Sequence, residues 1–176
     1  MSESQEVTTL PWDPARFRAG IEDTLQEFVD QQSAWLADLG EDANRLVEHA
    51  RLSVSGGKRF RAAFCWWGHL AVAVPEDTHA LLRACASLEL LHASALVHDD
   101  VMDASDVRRG RPATHRAFEA LHRERGWSAG PEQYGAAAAI LLGDLLLSWS
   151  DELLRRCGLA WERVGPALDV FDLCRS

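Results

Sequence analysis

Lysine is almost missing from this chain: Lys58 is the only one, and the other 17 of its 18 basic residues are arginines. A bias of that kind is what a GC-rich genome produces, so the location of Lys58 carries more information than its rarity. Positive charge is short overall. Eighteen Lys+Arg against 27 Asp+Glu leave a net charge of −9, which disfavours a nucleic-acid partner. It leaves room for a local basic pocket that takes an anionic small molecule. Cysteine is scarce, and Cys65, Cys85, Cys157 and Cys174 show no metal-ligand spacing. Reduced, mostly buried thiols are expected. The seven histidines form no HExxH and no Cys/His finger. No uncharged apolar run reaches the roughly 18 residues needed to span a bilayer. The polar start, Met1-Ser2-Glu3-Ser4, does not read as a signal peptide. A cytoplasmic protein with no integral membrane segment is the expectation. Strand signals are nearly absent too, with no sustained alternation and no Asn-Gly or Asp-Gly hairpin.

What the chain does have is a helical pattern. Its 176 residues are 47% hydrophobic, too apolar for disorder and enough for one ordinary domain. Residues 1–14 read as a flexible lead-in ending in Pro11-Trp12-Asp13-Pro14. Residues 15–176 read as all-α. Ile21, Leu25, Phe28 and Val29, then Trp35, Leu36 and Leu39, recur at helical spacing, and Gly40 ends that run. Asp42 is a candidate cap for the next helix. Further helices are expected over residues 59–74, 78–103, 114–125 and 133–157, and from Trp161 onward. Residues 107–113 and 126–130 read as loops. Several helices are apolar on most faces, which indicates burial on several sides.

The sharpest polar cluster is His98-Asp99-Asp100-Val101-Met102-Asp103, at the end of the long apolar helix. Asp99 and Asp103 share a face, about 6 Å apart along the axis. Such like charges repel unless a cation relieves them, and hard oxygen ligands suit Mg2+, which commonly bridges to phosphate. On the same helix Glu89, His92, Leu96, Asp99 and Asp103 fall within an arc of about 80°. Just beyond lies Arg108-Arg109-Gly110-Arg111-Pro112-Ala113-Thr114-His115. Guanidinium forks bind phosphate bidentately, although Arg111 fits a surface ion pair better. Upstream, Gly56-Gly57-Lys58-Arg59-Phe60-Arg61 lets the backbone approach an anion. Lys58 and Arg61 would share a face if a helix began there. The stretch is not a P-loop, because Leu52 and Arg59 stand where that motif needs Gly and Ser/Thr.

In this order and spacing, GGKRFR, ELLHASALVHDDVMD and RRGRPATH resemble the N-terminal part of the trans-isoprenyl diphosphate synthases, the polyprenyl synthetase family. The resemblance runs from about residue 20 onward and includes Leu142-Gly143-Asp144-Leu145-Leu146. It implies an all-α bundle around a central apolar cavity, usually in a homodimer. It also implies condensation of an allylic diphosphate with isopentenyl diphosphate to a longer trans-polyprenyl diphosphate, with Mg2+ as cofactor. Asp99, Asp103 and Arg108 would then be catalytic, with Asp99, Asp100 and Asp103 on the metal and Arg108 on the allylic diphosphate. Lys58, Arg61, His92 and Arg109 match the isopentenyl diphosphate site, so the one lysine falls on a ligand position. Glu89 receives no role, and His98 is read as packed or exposed. The small Ser94 and Ala95 before the aspartates imply a deep cavity and a product of geranylgeranyl length or longer, which Phe at Ser94 would shorten.

One departure stands out. Family members carry a second aspartate-rich motif in their C-terminal half, and none follows Asp103 here. The chain therefore reads as the front part of a synthase, with weak or no condensation activity alone. The alternative is a non-catalytic or regulatory subunit, or a remnant, of a heteromeric synthase that pairs with a complementary chain. An HD-type phosphohydrolase built on His98-Asp99 with His69 or His79 would leave GGKRFR and RRGRPATH unexplained. A terpene cyclase would leave the two cationic motifs without two diphosphates to bind.

Overall fold

The computed structural model describes residues 12–175. Of the lead-in read over residues 1–14, residues 1–11 lie outside the described residues. The remainder belongs to the fold. The Asp13 carboxylate accepts the Ala15 and Arg16 amides at 2.8 and 3.1 Å, and Pro14 occupies the first turn. These start α1 (Pro14–Leu36), which buries Phe17, Ile21, Leu25, Phe28 and Val29 on one stripe. Trp12 packs in tilted contact with Phe17 and Trp67, ring centroids 5.0 and 4.9 Å away. A short 3-10 turn, Ala37–Leu39, stops at Gly40, whose φ of 93° breaks the helix. The next helix, α2 (Glu41–Val54), begins directly after Gly40, so Asp42 sits in its first turn rather than capping it.

Four of the remaining helices match the expected spans closely: α3 (Phe60–Leu70), α4 (Thr78–Met102), α5 (Thr114–Arg125) and α6 (Pro131–Arg155). The last is α7 (Trp161–Arg175). Asp77 caps α4 by accepting the His79 and Ala80 amides at 2.8 and 3.0 Å. The all-α expectation holds, with one small exception. Residues 107–113 contain a two-residue antiparallel pair, β1 (Val107–Arg108) and β2 (Arg111–Pro112). Its turn is Arg109-Gly110, both with positive φ (51° and 75°), which suits the twist of a tight hairpin.

The core gathers α1, α2, α4 and α6 around Ile21, Leu25, Val54, Leu90, Leu142, Leu146 and Leu153. A second cluster joins α7 to the start of α4 through Leu154, Val164, Leu168, Phe171 and Ala84. By length and composition α4 could cross a membrane, but 61% of its most apolar stretch is buried among its neighbours. Two glycines on α6 permit close packing. A Cβ at Gly135 would lie 2.2 Å from the His115 carbonyl oxygen, and one at Gly143 would lie 2.1 Å from His98 Nε2. The bundle thereby holds the C-terminal end of α4 against α6, with the hairpin and the start of α3 beside it.

Candidate diphosphate site

The polar stripe on α4 divides along its length. Glu89 is buried, His92 is half-buried, and Asp99 and Asp103 are exposed at the helix end. Asp103 also closes the helix, its amide donating to the Asp99 carbonyl at 2.8 Å. Asp100 lies one residue, about 100°, around from Asp99 and points inward; the residue is only 3% exposed. Its carboxylate is taken by Arg108, whose Nε donates to both oxygens at 3.0 and 3.1 Å while Nη2 donates to Oδ1 at 2.5 Å. Arg108 Nη2 also comes within 3.7 Å of Asp99. This pair ties β1 to α4. The Asp100 hydrogen bond, with the charges of Asp99 and Asp103 behind it, raises the Arg108 guanidinium above its ordinary range, so it stays charged.

The cationic residues assemble around the loop before α3. Gly56 and Gly57 take positive φ (70° and 97°). Arg109 Nη1 donates to the Ser55 carbonyl at 2.6 Å, and a Cβ at Gly57 would lie 3.5 Å from the Arg109 guanidinium. Arg61 and His92 line one cavity of about 750 Å3 together with Phe64, Cys65, Ser94, Ala95 and His98. Burial lowers the His92 pKa, and the charges of Arg61, Arg109 and Arg108 lower it further against an opposing pull from Glu89. Cys65 is pulled below the usual thiol range by its hydrogen bond with Cys85, whose own thiol that contact and burial push up.

Two expected placements differ. The α3 helix begins at Phe60, so Lys58 does not share a helical face with Arg61; it is an exposed loop residue with Nζ 5.7 Å above the Phe60 ring. Ser94 lines the cavity with Ala95 as expected, but it is buried and also donates to the Gly143 carbonyl at 2.7 Å, which ties it to the α4–α6 contact, while Ala95 is exposed. His98 reaches Ile140 O at 3.2 Å and Asp144 at 3.5 Å. Arg111 is exposed and makes no ion pair with a described residue.

Sequence reasoning missed the residue that organises the loop. Arg59, 4% exposed with φ +56°, donates from Nη1 to Glu89 at 3.2 Å and from Nη2 to the Val54 carbonyl at 2.6 Å, and also pairs with Glu22. A left-handed non-glycine residue costs on the order of 1–3 kcal/mol, and these three contacts offset it. The Glu89 stripe position was visible; its partner was not.

Among the described residues no three His, Cys, Asp or Glu side chains converge as a ready metal cage. The donor set still fits Mg2+, which keeps several waters and takes one or two carboxylates plus phosphate oxygens. Asp99 and Asp103 are exposed and available for that; Asp100 is engaged by Arg108.

The fold and site define an all-α protein in which a carboxylate pair and a cationic loop flank one mainly apolar cavity. The Polyprenyl synthetase family matches residues 43–175, and the chain belongs to that family. It is 36% identical over 118 residues to a geranylgeranyl diphosphate synthase of Methanosarcina mazei, covering 67% of this chain and 31% of that protein. It is 29% identical over 136 residues to an octaprenyl diphosphate synthase of Escherichia coli, covering 77% and 36%. Among solved structures it resembles a geranylgeranyl pyrophosphate synthase from Corynebacterium glutamicum, complexed with isoprenyl diphosphate and magnesium. The TM-score is 0.86 at 37% identity, covering 92% of this chain and 46% of that one. The chain thus spans about a third of the length of these curated relatives.

Proposed function

We propose that this chain supplies two diphosphate-binding subsites of a trans-polyprenyl diphosphate synthase. The first uses Asp99 and Asp103, which would hold Mg2+, with Arg108 beside them for an allylic diphosphate. The second uses Lys58, Arg61, His92 and Arg109 for isopentenyl diphosphate. Bound Mg2+ would neutralise charge on the departing diphosphate. Arg108, fixed by Asp100, adds a preorganised cation on the same side. The cavity beside His92 is walled by Leu88, Leu91 and Ala95 and is mainly apolar, which suits a hydrocarbon chain. The observation that supports this reading is that Arg61 and His92 line one cavity, while Arg108 is fixed on Asp100 beside the exposed Asp99 and Arg109 is seated on the loop before α3.

Residues 104–176 contain no second DDxxD, and on this reading carboxylates from elsewhere would complete the metal site. We therefore expect weak or no condensation by this chain alone. A second chain, its own copy or a complementary one, would also cover exposed apolar side chains such as Phe60 and Phe64. The small Ser94 and Ala95 on the cavity wall favour a product of geranylgeranyl length or longer.

The test is incubation with labelled isopentenyl diphosphate and farnesyl diphosphate, alongside a direct binding measurement. Isopentenyl diphosphate should bind to the wild-type chain and not to Lys58→Ala/Arg61→Ala, with little elongated product. Robust turnover by the chain alone would refute the need for outside residues. Phosphate release without a carbon–carbon product would favour a hydrolase.

A further inference from the structure

Glu22 and Glu89 place two carboxylates against one guanidinium beside a loop read here as anion-binding. On electrostatic grounds alone they weaken that site, because their summed charge with Arg59 is negative. Their geometry explains their presence. Glu22 on α1 pairs with Arg59 and also accepts the Gly56 amide at 3.2 Å. Glu89 on α4 takes Arg59 through Oε2 and accepts the Ala62 amide, in the first turn of α3, through Oε1 at 3.3 Å. Each carboxylate thus holds Arg59 with one bond and a backbone amide of the binding segment with another. Arg59 is buried and presents nothing to a ligand. Its left-handed backbone follows two positive-φ glycines, a sequence of conformations that must be held in place.

We propose that Glu22 and Glu89 are positioning residues: by clamping Arg59 from α1 and α4 they fix the Gly56-Gly57-Lys58 loop and the start of α3 so that Lys58, Arg61 and Arg109 converge on one diphosphate. Arg109 is included because its guanidinium is seated on the Ser55 carbonyl of the same loop. This role rests on the diphosphate reading of that loop. Neither carboxylate touches the ligand, so their effect is transmitted through Lys58 and Arg61.

The test is calorimetric titration of the 176-residue chain with inorganic pyrophosphate in metal-free buffer, with melting temperatures measured in parallel. Glu89→Gln and Glu22→Gln should each raise Kd by about 10-fold or more, as loosening a convergent site does. In a Lys58→Ala background the further loss should shrink, because part of the clamp's effect runs through that residue. Removing a carboxylate by charge alone would tighten pyrophosphate binding, so an unchanged or lower Kd in both variants overturns the proposal. A lowered melting temperature with unchanged Kd overturns it equally. Glu22 is a third exposed, so Glu22→Gln keeps the test open if Glu89→Gln unfolds. If Lys58→Ala leaves the wild-type Kd unchanged, the diphosphate reading itself fails and the clamp's role falls with it.

Discussion

The three aspartates at the end of α4 should separate into one that stabilises the fold and two that serve the ligand. Asp100→Asn is the decisive perturbation. Asp100 is 3% exposed and accepts three hydrogen bonds from Arg108, whose side chain is 38% exposed. Hydrogen bonds to charged groups contribute about 1.5–3 kcal/mol. Breaking a fully buried pair costs about 3–5 kcal/mol, and the partial exposure of Arg108 lets water recover part of that. Asparagine keeps one acceptor oxygen but turns an amide NH2 toward the guanidinium. The expected loss is about 2 kcal/mol, or about 4–8 °C in Tm for a chain of this length. Asp99→Asn and Asp103→Asn remove exposed charges that repel their neighbours and should change stability by no more than about 0.5 kcal/mol. Urea denaturation of the three variants, each with a Mg2+-dependent pyrophosphate titration, reads both properties. If Asp100→Asn is as stable as the wild type, or if Asp99→Asn destabilises as much, the division of roles is wrong.

Gly135→Ala should force α5 and α6 apart, because its Cβ would meet the His115 carbonyl at 2.2 Å. Overpacking of this kind costs about 1–3 kcal/mol or more, and a denaturant midpoint equal to wild type would contradict the helix contact. Burial holds the pKa values of His49, His92 and His115 below the ordinary value. Between those lowered values and the unfolded value of about 6.5 the unfolded chain binds more protons. Stability should therefore be full above about pH 7 and fall as pH drops through 6.5; denaturation curves at pH 7.5 and 5.5 check it, and greater stability at 5.5 would contradict it. Ala95→Phe, which projects into the cavity, should shorten the product of a complete enzyme containing this chain. Phe at Ser94 should also shorten the product, and in addition should lower stability by removing the hydrogen bond to the Gly143 carbonyl. Product chromatography and melting curves distinguish the two.

Much of this architecture was legible in the residues. Helical periodicity and the flanking turn residues placed α4 and α5 within a residue or so of their observed ends, because long apolar stripes leave few competing structures. The inward turn of Asp100 follows from the 100° step after Asp99, but the identity of its partner depends on the hairpin that returns Arg108. The Arg, Gly and Pro content of residues 107–113 reads as a loop, and only the positive φ of Arg109 and Gly110 reveals the hairpin. Arg59 was hidden for a different reason. It lies between Lys58 and Arg61 in a motif of cations, and sequence spacing does not reveal which cation turns inward to meet carboxylates 37 and 30 residues away. Ser94 and Ala95 looked equivalent as small residues, but neighbouring helix positions face different surroundings.

The central claim is that one chain carries two diphosphate subsites, only one of which requires metal. Calorimetric stoichiometry with pyrophosphate measures this directly. One equivalent should bind without Mg2+ and two with it; Lys58→Ala/Arg61→Ala should remove the metal-free site and Asp99→Asn/Asp103→Asn the Mg2+-dependent one. A single equivalent under both conditions, or Mg2+-dependent binding that survives loss of both aspartates, would contradict the account.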